Sequence, residues 1–98
     1  MDHEEKRQFQ RMRLNSQLQF RRIGETRLYK GETLDLSATG IRFITTEPLI
    51  HGETLQIVIN SQHQQITPLV AEGKVLRAEA LNETTDSFEV SLLFTELN

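Results

Sequence analysis

The pattern that most constrains the fold is a two-residue alternation of apolar and polar side chains, repeated in short segments along the chain. In the first segment, Leu14, Ser16, Leu18 and Phe20 share one face of an extended chain, and the polar residues between them share the other. This period is typical of a β-strand with one buried face. The sequence therefore predicts strands and no helix of the usual length.

Five more segments follow, separated by turns that contain glycine, proline or polar residues. Their approximate ranges are 26–36, 41–44, 55–59, 69–77 and 88–94. In the fifth strand, the residues predicted to share one face are Leu69, Ala71, Gly73, Val75 and Arg77. Six short strands predict an all-β fold, a six-stranded antiparallel β-barrel, because closure removes the exposed edges of a small sheet.

The length of 98 residues fits one domain. Residues 1–13 are predicted to form a flexible N-terminal arm, and residues 14–98 the barrel. A short helix over residues 2–12 is an alternative, but it would place Arg7 and Arg11 four residues apart as like charges, which is mildly destabilising.

Composition restricts the compartment and the ligand class. The chain has no cysteine and no apolar run near the roughly 18 residues of a membrane span, so a soluble, cytoplasmic protein is expected. Residues 1–31 carry eight Lys/Arg and four Asp/Glu, whereas residues 32–98 carry three and ten. A basic segment on a chain of net charge −3 favours a small anionic ligand over a long nucleic acid.

Two short motifs carry the candidate chemistry. Arg7 and Arg11 are four residues apart, and each guanidinium can bind a phosphate or a guanine edge through two hydrogen bonds. Asp35 and Ser37 are two residues apart, which places both on one face of a strand. Gly40 follows where the strand should turn, and it allows either a positive φ or a close approach of ligand to the backbone.

Both motifs in this order, ahead of a strand-rich chain, resemble the PilZ domain family, whose hallmark is Arg-x-x-x-Arg followed by Asp/Asn-x-Ser-x-x-Gly. The resemblance implies a receptor for cyclic di-GMP, a bacterial second messenger, with no cofactor and no catalytic activity. By that likeness, Arg7 and Arg11 would bind phosphates and guanine edges, and Asp35 and Ser37 the polar groups of guanine. Gly40 completes the match.

The chain departs from the family at Lys6, where many members carry a further arginine. Lysine keeps the charge but lacks the planar fork, so the choice between one ligand and a stacked pair stays open. No fused output domain is visible, which makes an adaptor the expectation: ligand binding changes the conformation and signals to a partner protein. The family's partners include motility, adhesion and exopolysaccharide machinery. A homodimer is also compatible with the pattern, whereas membrane insertion is not expected.

Other classes of function are weaker. A PilZ-like interaction module without nucleotide binding is one alternative, although the arginine pair argues against it. A small RNA-binding barrel is another, but it usually needs exposed aromatic platforms, and here the aromatic residues fall mostly on core-facing positions. An enzyme is the least supported, because His3, His51 and His63 are scattered and show no spacing typical of metal ligands.

Overall fold

The structure, a computed structural model, describes residues 12–13, 16–60, 69–82 and 86–97. Its strands, in chain order, are β1 (Met12–Arg13), β2 (Gln17–Arg22), β3 (Tyr29–Leu36), β4 (Gly40–Thr45), β5 (Thr54–Ile59), β6 (Leu69–Ala80) and β7 (Phe88–Leu97). The predicted arm apart from β1, and Leu14 of the first predicted strand, lie outside the described residues.

Strands β2 to β7 form a closed barrel. Their order is β3-β2-β5-β6-β7-β4, β4 pairs back onto β3, and every pairing is antiparallel. The prediction of an all-β, six-stranded antiparallel barrel is therefore confirmed. The two-residue strand β1 is an addition: it pairs with Asp35 and Leu36, beyond the part of β3 that pairs with β2.

The core consists of the inward residues of all six strands of the barrel. Leu18 and Phe20 of the first predicted strand are fully buried, as its alternation indicates. The Phe20 ring stacks on Tyr29 with a centroid distance of 5.4 Å, and it packs at a tilt against Phe43 at 5.5 Å. Aromatic packing of this kind stabilises the barrel beyond the area that it buries.

Two local predictions were wrong. The second strand begins at Tyr29 rather than residue 26, because the chain from residue 25 to 28 is not paired in the sheet. Arg77 does not share the inward face of Val75, because the β6–β7 register shifts between these two residues. Val75 is buried and Arg77 is exposed. An extra residue in one strand reverses the alternation beyond it, and a periodicity read from the sequence cannot register that.

At the end of the barrel opposite the β3–β4 turn, the Arg22 side chain binds three residues of the connection between β4 and β5. Its Nε donates to Glu53 Oε1 at 2.6 Å, its Nη1 to Glu47 Oε2 at 2.8 Å, and its Nη2 to the carbonyl oxygen of Pro48 at 2.9 Å. Burial opposes ionisation of Glu53, but hydrogen bonds from Arg22 and from the Ile50 N–H lower the pKa of its carboxyl below the ordinary value. The ionised carboxylate thus stabilises the folded state.

We expect the Glu53→Gln variant to be less stable than the wild type at neutral pH. A lowered pKa in the folded state means that the unfolded chain binds the proton more readily, so the contribution of Glu53 is lost as the pH falls. Stability should therefore fall less steeply in the variant between about pH 6 and about pH 3. Urea unfolding across this range measures the slope, with Glu25→Gln, an exposed position in the β2–β3 turn, as the control. Equal slopes in wild type and Glu53→Gln would contradict the assignment.

Candidate functional site

A bulge in β3 turns Asp35 to the outer face of the barrel. Thr33 pairs with Phe43, and both are buried inside. The register then shifts, so that Asp35 pairs with Arg42 and Leu36 pairs with the core residue Ile41. One extra residue in the strand is enough to re-aim the side chains that follow it. Asp35 therefore lies outside the barrel wall although Thr33, two residues earlier, lies inside.

Asp35 is 4% exposed and forms an ion pair with Arg42. The Arg42 Nε donates to Asp35 Oδ2 at 2.9 Å and its Nη2 donates to the same oxygen. The Arg42 Nη1 donates to Glu89 Oε2 at 2.7 Å, so one guanidinium spans two carboxylates. The hydrogen bond to Asp35 raises the pKa of Arg42 above its ordinary value. This pair holds an ionised carboxylate in a fixed position on the outer face.

The turn between β3 and β4 is closed by its own hydroxyl groups. The Ser37 N–H donates to the Gly40 carbonyl oxygen at 2.9 Å, and the Thr39 N–H donates to Ser37 Oγ at 3.3 Å. The two hydroxyl oxygens, Ser37 Oγ and Thr39 Oγ1, are 3.3 Å apart. The Thr39 carbonyl oxygen accepts from the Phe94 N–H at 2.8 Å, which attaches the turn to β7. Ser37 is therefore held at a defined position beside Asp35.

Gly40 is required for a reason that differs from the two offered by the sequence. Within the described residues, the glycines with positive φ are Gly24 and Gly52, so Gly40 does not adopt that conformation. A Cβ atom at Gly40 would overlap the backbone carbonyl oxygen of Leu92 on β7. The glycine therefore permits close approach of β4 to β7 rather than a left-handed turn.

A shallow cavity opens on the outer face next to this turn. Its walls combine polar side chains with apolar ones from β6 and β7; those that matter here are Ser37, Thr39, Arg42, Leu76, Ser91 and Leu93. Leu76 and Leu93 are 46% and 42% exposed and give this cavity an apolar side. Apolar surface beside a few fixed polar groups is the usual composition of a small-molecule site.

The structure brings Asp35, Ser37 and Gly40 together at the junction of β3 and β4. The other three predicted site residues, Lys6, Arg7 and Arg11, lie outside the described residues. However, β1 places Met12 opposite Leu36 and Arg13 opposite Asp35, so the chain reaches this part of the sheet immediately after the arginine motif.

Four residues of the site were missed by sequence reasoning: Arg42, Leu76, Ser91 and Leu93. Arg42 could have been found, because it lies between the apolar residues Ile41 and Phe43 and must point to the outer face. Leu76 could not have been found in the same way, because the register shift that exposes it depends on pairing with β7.

Metal sites and membrane-spanning helices were also sought among the described residues. Among them, no group of three or more His, Cys, Asp or Glu side chains is placed to hold a metal ion. In the same part of the chain, no helix has the length and apolar character needed to cross a membrane. Of the three histidines, only His51 is described, and it lies exposed in a turn at the far end of the barrel.

The family is shown by comparison with family models. The model of the PilZ domain matches residues 5–98, nearly the whole chain. The chain therefore belongs to the PilZ domain family, whose members are non-catalytic receptors of cyclic di-GMP. Comparison with curated protein sequences gives no match.

Solved structures show the same fold. The Bacillus subtilis inhibitor of motility, MotI/DgrA, superimposes with a TM-score of 0.75 at 18% identity, over 94% of this chain and 44% of that chain. The PilZ domain of YcgR from Escherichia coli, solved with cyclic di-GMP, superimposes with a TM-score of 0.67 at 14% identity, over 91% of this chain and 77% of that one. The chain thus spans less than half of the length of MotI/DgrA.

We expect Arg42→Gln to destabilise the fold by about 1–3 kcal/mol, because the buried Asp35 carboxylate loses the charged hydrogen bonds that Arg42 donates. Arg77→Gln is the matched control: Arg77 is an arginine on the same outer face, and no described carboxylate forms an ion pair with it. That variant should stay within about 0.5 kcal/mol of the wild type. Denaturant unfolding measures both, and equal stabilities of the two variants would show that Arg42 does not hold Asp35.

We expect Gly40→Ala to destabilise the fold by about 1–3 kcal/mol, because β4 must move away from the Leu92 carbonyl oxygen to admit a methyl group. The strain should be local, so the Phe94 N–H that bonds to the Thr39 carbonyl oxygen should exchange with solvent faster. Gly24→Ala is the comparison: its positive φ strains the backbone of the β2–β3 turn, but its added methyl would meet nothing within 4 Å, so the Phe94 amide should exchange as in the wild type. Unchanged exchange of the Phe94 amide in Gly40→Ala would refute the proposed contact.

Proposed function

We propose that this protein is a cyclic di-GMP receptor that binds its ligand on the outer face of the barrel at the β3–β4 turn. Asp35, Ser37 and Gly40 form the part of the site on the barrel. Arg7 and Arg11, with Lys6, form the part contributed by the N-terminal arm, residues 1–13. The cavity beside the turn receives a guanine base.

The observation that carries the proposal is the placement of Asp35. A carboxylate that is 4% exposed and held by Arg42 lies on the outer wall, directly across from β1. Because β1 begins one residue after Arg11, the chain enters the sheet directly after the arginine motif, at the strand that carries Asp35. This supports the proposal that two motifs 24 residues apart in the sequence act at one site.

The chemistry of these groups suits guanine. A carboxylate accepts hydrogen bonds from the N1–H and N2–H groups of the base, and guanidinium groups donate to its O6 and N7 atoms or to phosphate oxygens. Arg42 pairs with the Asp35 carboxylate and orients it before the ligand arrives. The exposed faces of Leu76 and Leu93 offer apolar surface to the bases of the ligand. Positioning before binding lowers the entropic cost of association.

The comparisons support this proposal in two ways. The family to which the chain belongs consists of cyclic di-GMP receptors, and the YcgR domain of the same fold was solved with that nucleotide. MotI/DgrA, another similar structure, is an inhibitor of motility. A target in motility machinery is therefore the first to test, ahead of adhesion or exopolysaccharide machinery.

Signalling would follow from a change in the surface at the arm. Ligand held between the arm and the barrel would alter the charge and shape that this face presents to a partner protein. A coupling free energy of about 1–3 kcal/mol between ligand and partner is typical of such switches. Cyclic di-GMP is made inside bacterial cells, so the proposed site of action is the cytoplasm.

Titration calorimetry with cyclic di-GMP tests the binding residues. We expect Arg11→Ala and Asp35→Asn each to weaken binding by about 1–3 kcal/mol, the value of one bidentate contact. Lys30→Ala is the control, because Lys30 is an exposed cation near the opposite end of β3. Circular dichroism of each variant establishes that the barrel is intact.

The ligand comparison gives the outcome that would contradict the proposal. GMP and cyclic di-AMP should bind more weakly than cyclic di-GMP, and added salt should weaken the complex less than a complex held only by phosphate neutralisation. If the wild type binds none of these nucleotides, the protein is an interaction module without nucleotide binding. If both variants bind like the wild type, the assigned residues are wrong.

A further inference from the structure

A second bulge, in β6, presents an arginine on the same outer face. Val75 pairs with Leu92, Arg77 pairs with Ser91, and Leu76 is the extra residue between them. Val75 is buried and Ala78 packs against the core, whereas Leu76 and Arg77 are exposed. In a bulge of this kind, two successive side chains point to the same side of the sheet. Leu76 and Arg77 therefore lie next to each other on the outer wall.

Arg77 lies in a row that begins at Asp35. In the strand registers, Asp35 is opposite Arg42, Arg42 is opposite Ser91, and Ser91 is opposite Arg77. These four residues cross β3, β4, β7 and β6, which are adjacent in the barrel. At roughly 4.8 Å per strand, the row is about 14 Å long. The cavity lined by Ser91 and Leu76 lies along this row, between the two ends.

The two arginines of the row differ in their partners. Arg42 is committed to Asp35 and Glu89. In the described part of the chain, no carboxylate lies within ion-pair distance of the Arg77 guanidinium. A guanidinium has five donors and accepts none, so Arg77 can donate to a ligand without breaking an existing ion pair. Of the two described arginines in the row, Arg77 is therefore the one without an ion pair.

We propose that Arg77 binds the O6/N7 edge of the second guanine of cyclic di-GMP, the one farther from Asp35. This inference rests on the proposed function and extends it to the other half of the ligand. The surface next to Arg77 favours a base rather than a phosphate, because Leu76 and Leu93 are 46% and 42% exposed there. An aromatic ring gains from contact with apolar side chains, and a phosphate does not.

A dinucleotide with one guanine and one adenine, cyclic GMP–AMP, separates the two ends of the site. Its guanine occupies the Asp35 end, and its adenine then faces Arg77. Adenine carries an amino group where guanine has O6, so it cannot accept the same pair of hydrogen bonds. We expect the wild type to bind cyclic di-GMP about tenfold more tightly than cyclic GMP–AMP.

Arg77→Ala should weaken cyclic di-GMP about tenfold and leave cyclic GMP–AMP nearly unchanged, so that the ratio of the two affinities approaches one. Lys30→Ala, which also removes one exposed positive charge, should leave both affinities and their ratio unchanged. Both variants change exposed side chains, and a melting temperature close to that of the wild type checks that they fold.

Three other outcomes would each contradict a different part of the proposal. If Arg77→Ala weakens both dinucleotides equally, Arg77 acts on phosphate or through general charge, and the guanine contact is overturned. If neither affinity changes, Arg77 is outside the site. If the wild type binds neither dinucleotide, the proposed function itself fails, and that result is visible before any variant is made.

Discussion

The pairing of β3 with β4 is the constraint on which the rest of this structure depends. It closes the barrel, so that none of the strands β2 to β7 has a free edge along its whole length. It also contains the bulge after which the side chains change sides, so that Thr33 faces the barrel core and Asp35 the outer face. The same pairing brings Arg42 opposite Asp35, and β4 must then approach β7 closely at Gly40. The strand pairing that closes the barrel is therefore also the pairing that positions the residues of the candidate site.

Electrostatics on the outer face follow from that geometry. A buried carboxylate is costly unless it is paired and hydrogen-bonded, and Arg42 meets both conditions for Asp35. Because the guanidinium also bonds Glu89, β3, β4 and β7 are linked by one cation. Residues 32–98 are acidic overall, yet their three basic residues include Arg42 and Arg77, which both face this surface. Charge is thus concentrated by the fold rather than by the sequence.

The sequence was sufficient for most of the fold. Alternation placed Leu18, Phe20 and Val90 inside, and six strands with short turns left a closed barrel as the natural arrangement. Asp35 and Ser37, which their spacing predicts to share a face, are both buried. The alternation of apolar residues and the composition of turns depend on only a few neighbouring residues. They can therefore be recognised from the sequence without knowledge of the partner strand.

The bulges could not be predicted in this way, because a bulge is a property of two paired strands rather than of one. Nothing in the amino-acid sequence around Val75 indicates that Leu76 is the extra residue. The prediction that Arg77 shares the inward face of Val75 was wrong for that reason. The role of Gly40 was misjudged similarly, since the carbonyl oxygen that it approaches belongs to Leu92, 52 residues later. By itself the sequence determined the six strands of the barrel, the core and the residue types of the candidate site. Only the tertiary structure decided which side chains face outward together, because register between distant strands sets that choice.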